Sequence, residues 1–138
     1  MIQDVKFADI QIGDQASMSK TVTEYDIYTF AGLTGDFNPV HVNAESAKNS
    51  IFKERIAHGM LSAGFISTVL GTTLPGAGTI YLSQELAFKA PVKIGDTVTA
   101  VVEVTEKIAA KNRLLLKTTV TNQEGTLVID GKAMVMKK

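Results

Sequence analysis

The sequence predicts an α+β fold: a single domain in which a curled antiparallel sheet wraps a central helix. Three observations predict it. No side chain from Gly59 to Gln84 is charged, and the run from Gly59 to about Leu70 sets Met60, Leu61, Phe65, Ile66, Val69 and Leu70 among small residues. It therefore reads as a helix that is apolar on nearly every side and needs cover all round. From Ile80 onwards the chain alternates apolar and polar residues, the period of strands with one buried face. Finally, 138 residues of which 45% are hydrophobic fill one core and are too few for two ordinary domains, so residues 1–138 read as one domain.

Taken in order, the chain begins with Ile10-Gln11-Ile12-Gly13-Asp14, which has a counterpart in Val92-Lys93-Ile94-Gly95-Asp96. Each is followed at the same spacing by Val-Thr-Glu, at 22–24 and at 104–106. Gly-Asp turns commonly open strands, so both mark strand starts without requiring a duplication. Thr23 and Asp26 have the spacing of a capping box with Asp in place of Glu, and Tyr25, Ile27, Tyr28, Phe30, Ala31 and Leu33 supply the apolar stripe of a helix over 24–34. Gly35 and Pro39 then keep residues 35–41 out of regular helix, as a loop. Asn43 caps a second helix predicted over 44 to about 52, with Glu45, Lys48, Asn49 and Lys53 on its surface. The uncharged helix follows, and Gly71, Pro75, Gly76 and Gly78 end it.

Beyond it, Ile80, Leu82, Leu86 and Phe88 alternate with Tyr81, Ser83, Glu85 and Lys89. Val98, Ala100, Val102 and Val104 alternate with Thr97, Thr99, Glu103 and Thr105. Leu114, Leu116, Thr118 and Val120 continue the pattern, residues 122–125 form a hairpin turn, and 127–136 return.

Composition removes several functions. The formal net charge is zero with both signs interspersed, which argues against a nucleic-acid partner, since phosphate binding needs clustered Lys and Arg. Cysteine is absent, and with it thiolate nucleophiles, disulfides and zinc–thiolate sites. Met1 to Lys6 shows no basic region followed by an apolar core, so the expected location is the cytoplasm. The uncharged run is broken by Ser, Thr, Pro75 and glycines well before the roughly 20 apolar residues of a membrane span.

Two segments carry chemistry. Gly35-Asp36-Phe37-Asn38-Pro39-Val40-His41 puts a carboxylate and an imidazole five positions apart in one loop, and Ile56-Ala57-His58-Gly59-Met60-Leu61-Ser62 opens the buried helix. The first N–H groups of a helix lack intrahelical acceptors, so Gly59 stands where a developing negative charge could be bound. Read from residue types alone, Asp36 could equally cap a turn and His41 could be a packed histidine.

Together the two segments resemble the signature of the MaoC-like (R)-specific enoyl-CoA hydratases, a hot-dog-fold family. The preceding helix, the Phe88-Lys89-Ala90-Pro91-Val92 strand end and the Gly95-Asp96 turn fall in that family's order. The resemblance implies a hot-dog homodimer with a tunnel at the subunit interface, taking acyl thioesters of coenzyme A or of acyl carrier protein. It implies that Asp36 and His41 are the catalytic pair, that Asn38 and Ser62 support them, and that the Gly59 N–H binds the thioester oxygen. Hydration of a 2-enoyl thioester needs a base for water, a proton for C2 and a donor for the enolate oxygen, and these residues provide all three with no metal or organic cofactor. Which of Asp36 and His41 is the formal base stays open, since coupled groups titrate as a pair. His58 reads as structural, and Lys48, Lys53, Arg55, Lys89 and Lys93 as solvated surface charges.

Two other readings compete. A hot-dog thioesterase would place an acidic residue on the central helix, and this one has none. A non-catalytic acyl-binding or dimerisation module would have no need of Asp36 beside His41. A homodimer is expected in any case, because one helix apolar all round needs more sheet than a single short chain supplies.

Overall fold

The computed structural model describes all residues 1–138. Its elements are β1 (Gln15–Thr21), α1 (Glu24–Thr34), α2 (Pro39–Val42), α3 (Ala44–Lys48), α4 (Gly59–Thr72), β2 (Ile80–Phe88), β3 (Thr97–Ile108), β4 (Arg113–Thr121) and β5 (Leu127–Met136). The five strands form one sheet in the order β1-β3-β4-β5-β2, every neighbouring pair antiparallel. α4 lies against the inner face of that sheet. Phe65, Ile66, Val69 and Leu70 of α4 meet Val98, Ala100, Val102 and Val104 of β3 and Leu114, Leu116 and Val120 of β4 in one apolar core. This is the hot-dog arrangement expected from the sequence.

Local chemistry explains most boundaries. Both halves of the α1 capping box form: the Asp26 N–H donates to Thr23 Oγ1 at 3.2 Å and the Thr23 N–H to Asp26 Oδ2 at 2.8 Å. Such a cap is typically worth about 1 kcal/mol. Gly35, at φ 83°, closes α1 in the left-handed conformation that glycine adopts without strain. The two Gly-Asp repeats make the same turn. Asp14 Oδ2 accepts from the Gln11 N–H at 2.8 Å and Asp96 Oδ2 from the Lys93 N–H at 2.9 Å, just before β1 and β3, which pair with each other.

Three expectations need correction. Residues 35–41 are not a loop throughout, because Pro39 begins a helix rather than preventing one. At the first helical position its missing N–H is no loss, and Asn38 Oδ1 caps the turn by accepting from the Val40 N–H at 3.3 Å. His41 therefore stands on a short helix. α3 ends at Lys48 rather than near residue 52, and turns fill the interval to α4. As expected of one chain alone, α4 is not covered on every side: Met60, Gly64, Ser67, Thr68 and Gly71 form an exposed stripe at helical spacing. The third correction is β2, expected to bury one apolar face: it is an edge strand that leaves Ile80, Tyr81, Leu82 and Phe88 exposed. No helix is long and apolar enough to cross a membrane.

Candidate active site

Asp36 and His41 are held by a strap of backbone running through residues 56–58. The Ala57 N–H donates to the Val92 carbonyl at 2.8 Å, fixing the strap to the segment before β3. From the strap, the Ile56 N–H donates to the Val40 carbonyl at 3.2 Å, and the Ile56 carbonyl accepts from His41 Nδ1–H at 2.7 Å. Because a carbonyl only accepts, Nδ1 carries the His41 proton and Nε2 keeps its lone pair. Asp36 follows the left-handed Gly35, its N–H donates to Thr34 Oγ1 at 3.2 Å, and its Oδ1 accepts from the Asn38 N–H at 3.2 Å.

His41 is 8% exposed and His58 2%. Their rings stack with centroids 3.9 Å apart and planes 31° apart, and Phe30 lies 4.6 Å from the His58 ring on its other contact. Burial pushes the His41 imidazole below its ordinary value of 6.5, and the nearby His58 acts in the same direction. The Ile56 carbonyl and the Asp36 carboxylate oppose them without prevailing. His41 is therefore neutral near pH 7, a state in which Nε2 accepts a proton. One ligand atom from each of Asp36, His41 and His58 lies within 4.8 Å of the others, a separation that a single water bonded to Asp36 and His41 spans. The same three residues are a small donor set for a metal ion. His41 Nδ1 and His58 Nε2 are already committed to the Ile56 and Asp36 carbonyls, so only His41 Nε2 and His58 Nδ1 have a lone pair to offer.

Gly59 begins α4 immediately after the strap. The Leu61 N–H already reaches the His58 carbonyl at 3.1 Å, while the N–H groups of Gly59 and Met60 carry no hydrogen bond. They are the free donors of a helix N-terminus. A Cβ on Gly59 would fall 2.6 Å from Cε1 and 2.7 Å from Cδ1 of Phe88, so the bare backbone is what lets that ring lie against the helix start. His58, Gly59, Ser62, Phe88, Pro91 and Val128 help to line an apolar cavity of about 370 Å³. Asp36 and His41 do not line it, and Asp36 is exposed on this chain. His58 and Ile56 both line the cavity and touch the pair.

The structure thus brings Asp36 and His41 together, with Gly59 one residue beyond His58. Asn38 meets the pair through its backbone N–H, while its side chain caps α2. Ser62 is 1% exposed, its Oγ has no hydrogen-bond partner, and it faces the cavity rather than bonding to Asp36 or His41. Two residues that the sequence reading gave no role in the site border it here: His58, read there as structural, and Phe88, read there only as a strand end. His58 directly precedes Gly59, and a polar ring opening an apolar run was the available signal.

The family profile described as "MaoC like domain" matches residues 8–126. An (R)-specific enoyl-CoA hydratase of Rhodospirillum rubrum is 58% identical over 94% of this chain and 90% of its own length. A 3-hydroxybutyryl-CoA dehydratase of Methylorubrum extorquens is 44% identical over 94% of this chain and 82% of its own. Among solved structures, the unliganded R-hydratase PhaJ1 from Pseudomonas aeruginosa superposes with a TM-score of 0.93 at 46% identity, covering 99% of this chain and 87% of that one. The (R)-hydratase of Aeromonas caviae involved in PHA biosynthesis gives 0.90 at 42% identity, covering 94% and 98%.

Proposed function

This chain belongs to the family of MaoC-like domains, and from that premise we infer that Asp36 and His41 carry out the reversible hydration of trans-2-enoyl thioesters to (R)-3-hydroxyacyl thioesters. The protein is a hydro-lyase of the (R)-specific enoyl-CoA hydratase type. The observation that carries the residue assignment is the convergence of the Asp36 carboxylate and the His41 imidazole, whose proton is fixed on Nδ1 by the Ile56 carbonyl. A water held between them loses one proton to the pair as its oxygen bonds C3. The electron pair of the double bond moves toward the thioester carbonyl, and its oxygen gains negative charge. The free Gly59 N–H, at the positive end of α4, binds that charge. The pair then delivers one proton to C2, so one water is added and no group is lost. Ser62 and Asn38 support this arrangement, Ser62 from the cavity wall and Asn38 by shaping the Asp36 turn.

The active unit in this proposal is a homodimer. The exposed stripe of α4 is uncharged, β2 presents an unpaired edge with exposed Ile80 and Leu82, and Asp36 lies open to solvent. A second copy against that edge would cover the stripe and enclose the pair in an interface tunnel. The carrier is coenzyme A, with acyl carrier protein as the second candidate, and the setting is the cytoplasm. Crotonyl-CoA tests the reaction: loss of the conjugated thioester absorbance without release of free thiol is the expected result, and thiol release would mean a thioesterase instead. Sedimentation showing a stable monomer at micromolar concentration would refute the dimer and remove the tunnel.

A further inference from the structure

We propose that His58 is a positioning residue of the hydration reaction, holding Asp36 and His41 to one another through a hydrogen bond to the Asp36 carbonyl and a tilted stacking contact with the His41 ring. The inference rests on the assignment of Asp36 and His41 made above.

The argument starts from what fixes the backbone of residues 35–38. The Gly35 N–H bonds to the Ala31 carbonyl, the Asp36 N–H to Thr34 Oγ1, the Phe37 N–H to the Gly35 carbonyl and the Asn38 N–H to Asp36 Oδ1. All of these reach four residues or fewer along the chain, so they shape the turn without attaching it to the rest of the molecule. One bond does attach it: His58 Nε2–H donates to the Asp36 carbonyl at 2.9 Å across 22 residues. Asp36 is otherwise exposed on this chain. A catalytic carboxylate there owes its fixed distance from His41 to that donor.

The same ring touches the other member of the pair. His41 is anchored at Nδ1 by Ile56, which sets one end of its ring, and the His58 face at 3.9 Å limits how the ring tilts about that anchor. His58 is itself held by Phe30 at 4.6 Å and by its place in the strap between Ala57 and α4. The ordinary explanations for a histidine at a helix start do not apply. Its side chain makes no capping hydrogen bond to α4, and its only hydrogen bond goes to the Asp36 carbonyl. A residue packed merely for volume would have no need of a donor aimed at that oxygen.

The two contacts require different chemistry, which makes them separable. Phenylalanine at this position would stack on His41 but donate nothing. Glutamine would carry an N–H to about the place of Nε2 without the ring, and asparagine would carry one that falls short of it.

The test is steady-state hydration of crotonyl-CoA by full-length His58→Phe, His58→Gln and His58→Asn, each checked for folding by circular dichroism, beside Asp36→Asn and His41→Ala. His58→Phe should lose about 10²-fold in kcat, the scale of a misplacement near 1 Å, with KM changed by less than about threefold. His58→Gln should recover at least about tenfold over His58→Asn, because only its amide reaches the Asp36 carbonyl. A role in packing alone moves neither the kcat-to-KM split nor the ratio of Gln to Asn. The inference is overturned if His58→Phe keeps kcat within about twofold of the parent or if the Gln and Asn variants turn over alike. Should His58→Phe not fold, the Gln-to-Asn ratio decides alone. Active His58 variants beside inactive Asp36→Asn and His41→Ala would sink only this inference, whereas an active Asp36→Asn would sink the catalytic assignment itself.

Discussion

Gly59→Ala separates the oxyanion function proposed for the start of α4 from its stability. A Cβ built on Gly59 lies 2.6 Å and 2.7 Å from two atoms of the Phe88 ring, whereas carbon atoms settle about 3.5 to 4.0 Å apart. The ring must therefore retreat by about 1 Å. It can do so, since Phe88 is 53% exposed on an edge strand, and alanine is a better helix former than glycine by up to about 1 kcal/mol. The two terms offset one another, so the melting temperature should change by no more than a few degrees. Activity should not survive so well. The new methyl stands beside the N–H that a thioester oxygen has to approach, and losing one oxyanion donor costs about 10²- to 10³-fold in kcat. The assay is crotonyl-CoA hydration followed by absorbance, run with Gly59→Ala, Phe88→Ala and the double variant. If crowding of the N–H is the cause, the double variant should remain as slow as Gly59→Ala. Recovery in the double variant would assign the loss to the displaced ring. Gly59→Ala with more than about a tenth of parental kcat would refute the oxyanion reading.

Other outcomes follow from the same geometry. Asp36→Asn and His41→Ala should each lower kcat by about 10²- to 10⁴-fold while leaving a folded protein, and the double variant should be scarcely slower than either, because in the proposed mechanism both act on one water; multiplicative losses would mean independent roles. His41 is held below its ordinary value of 6.5, so the neutral form persists to lower pH and the acid limb of kcat/KM should fall below 6.5. Its contribution to stability has the matching sign: fully present above 6.5, and lost as pH falls from 6.5 through the depressed native value, where the unfolded chain binds the proton first. An acid limb above 6.5 in the pH–rate profile would contradict the burial argument. Ser62→Ala should leave the melting temperature unchanged or raised, since the hydroxyl it removes is buried and unpartnered. If Ser62 supports the bound substrate as proposed, kcat/KM should fall about tenfold, and an unchanged value would remove it from the site.

The fold was legible where local chemistry decides it. The Thr23–Asp26 box, the glycine after α1, the two Gly-Asp turns and the period of two along β3 and β4 act within a few residues, and each stands where the sequence places it. Pro39 was misread because proline either stops a helix or starts one, and the choice depends on Asn38 having a free side chain to cap the turn. That one chain would leave part of α4 bare was expected from the sequence, but which face stays bare was not legible. Apolar composition says that a face will be covered, but it does not say by which chain, and the sheet of one chain covers only part of it. In the site, Asp36, His41 and Gly59 could be singled out from the sequence because their two motifs resemble a known family's, and the structure brings Asp36 and His41 together. His58 could not be, since its partner is a backbone carbonyl 22 residues away, and a carbonyl leaves no mark in the sequence. The same holds for Val92 and Ile56, which fix the strap through main-chain atoms. Those two bonds form through the main chain whatever side chain is present, although both side chains are buried against the cavity, whereas the bond of His58 is made by its own ring and is lost with it.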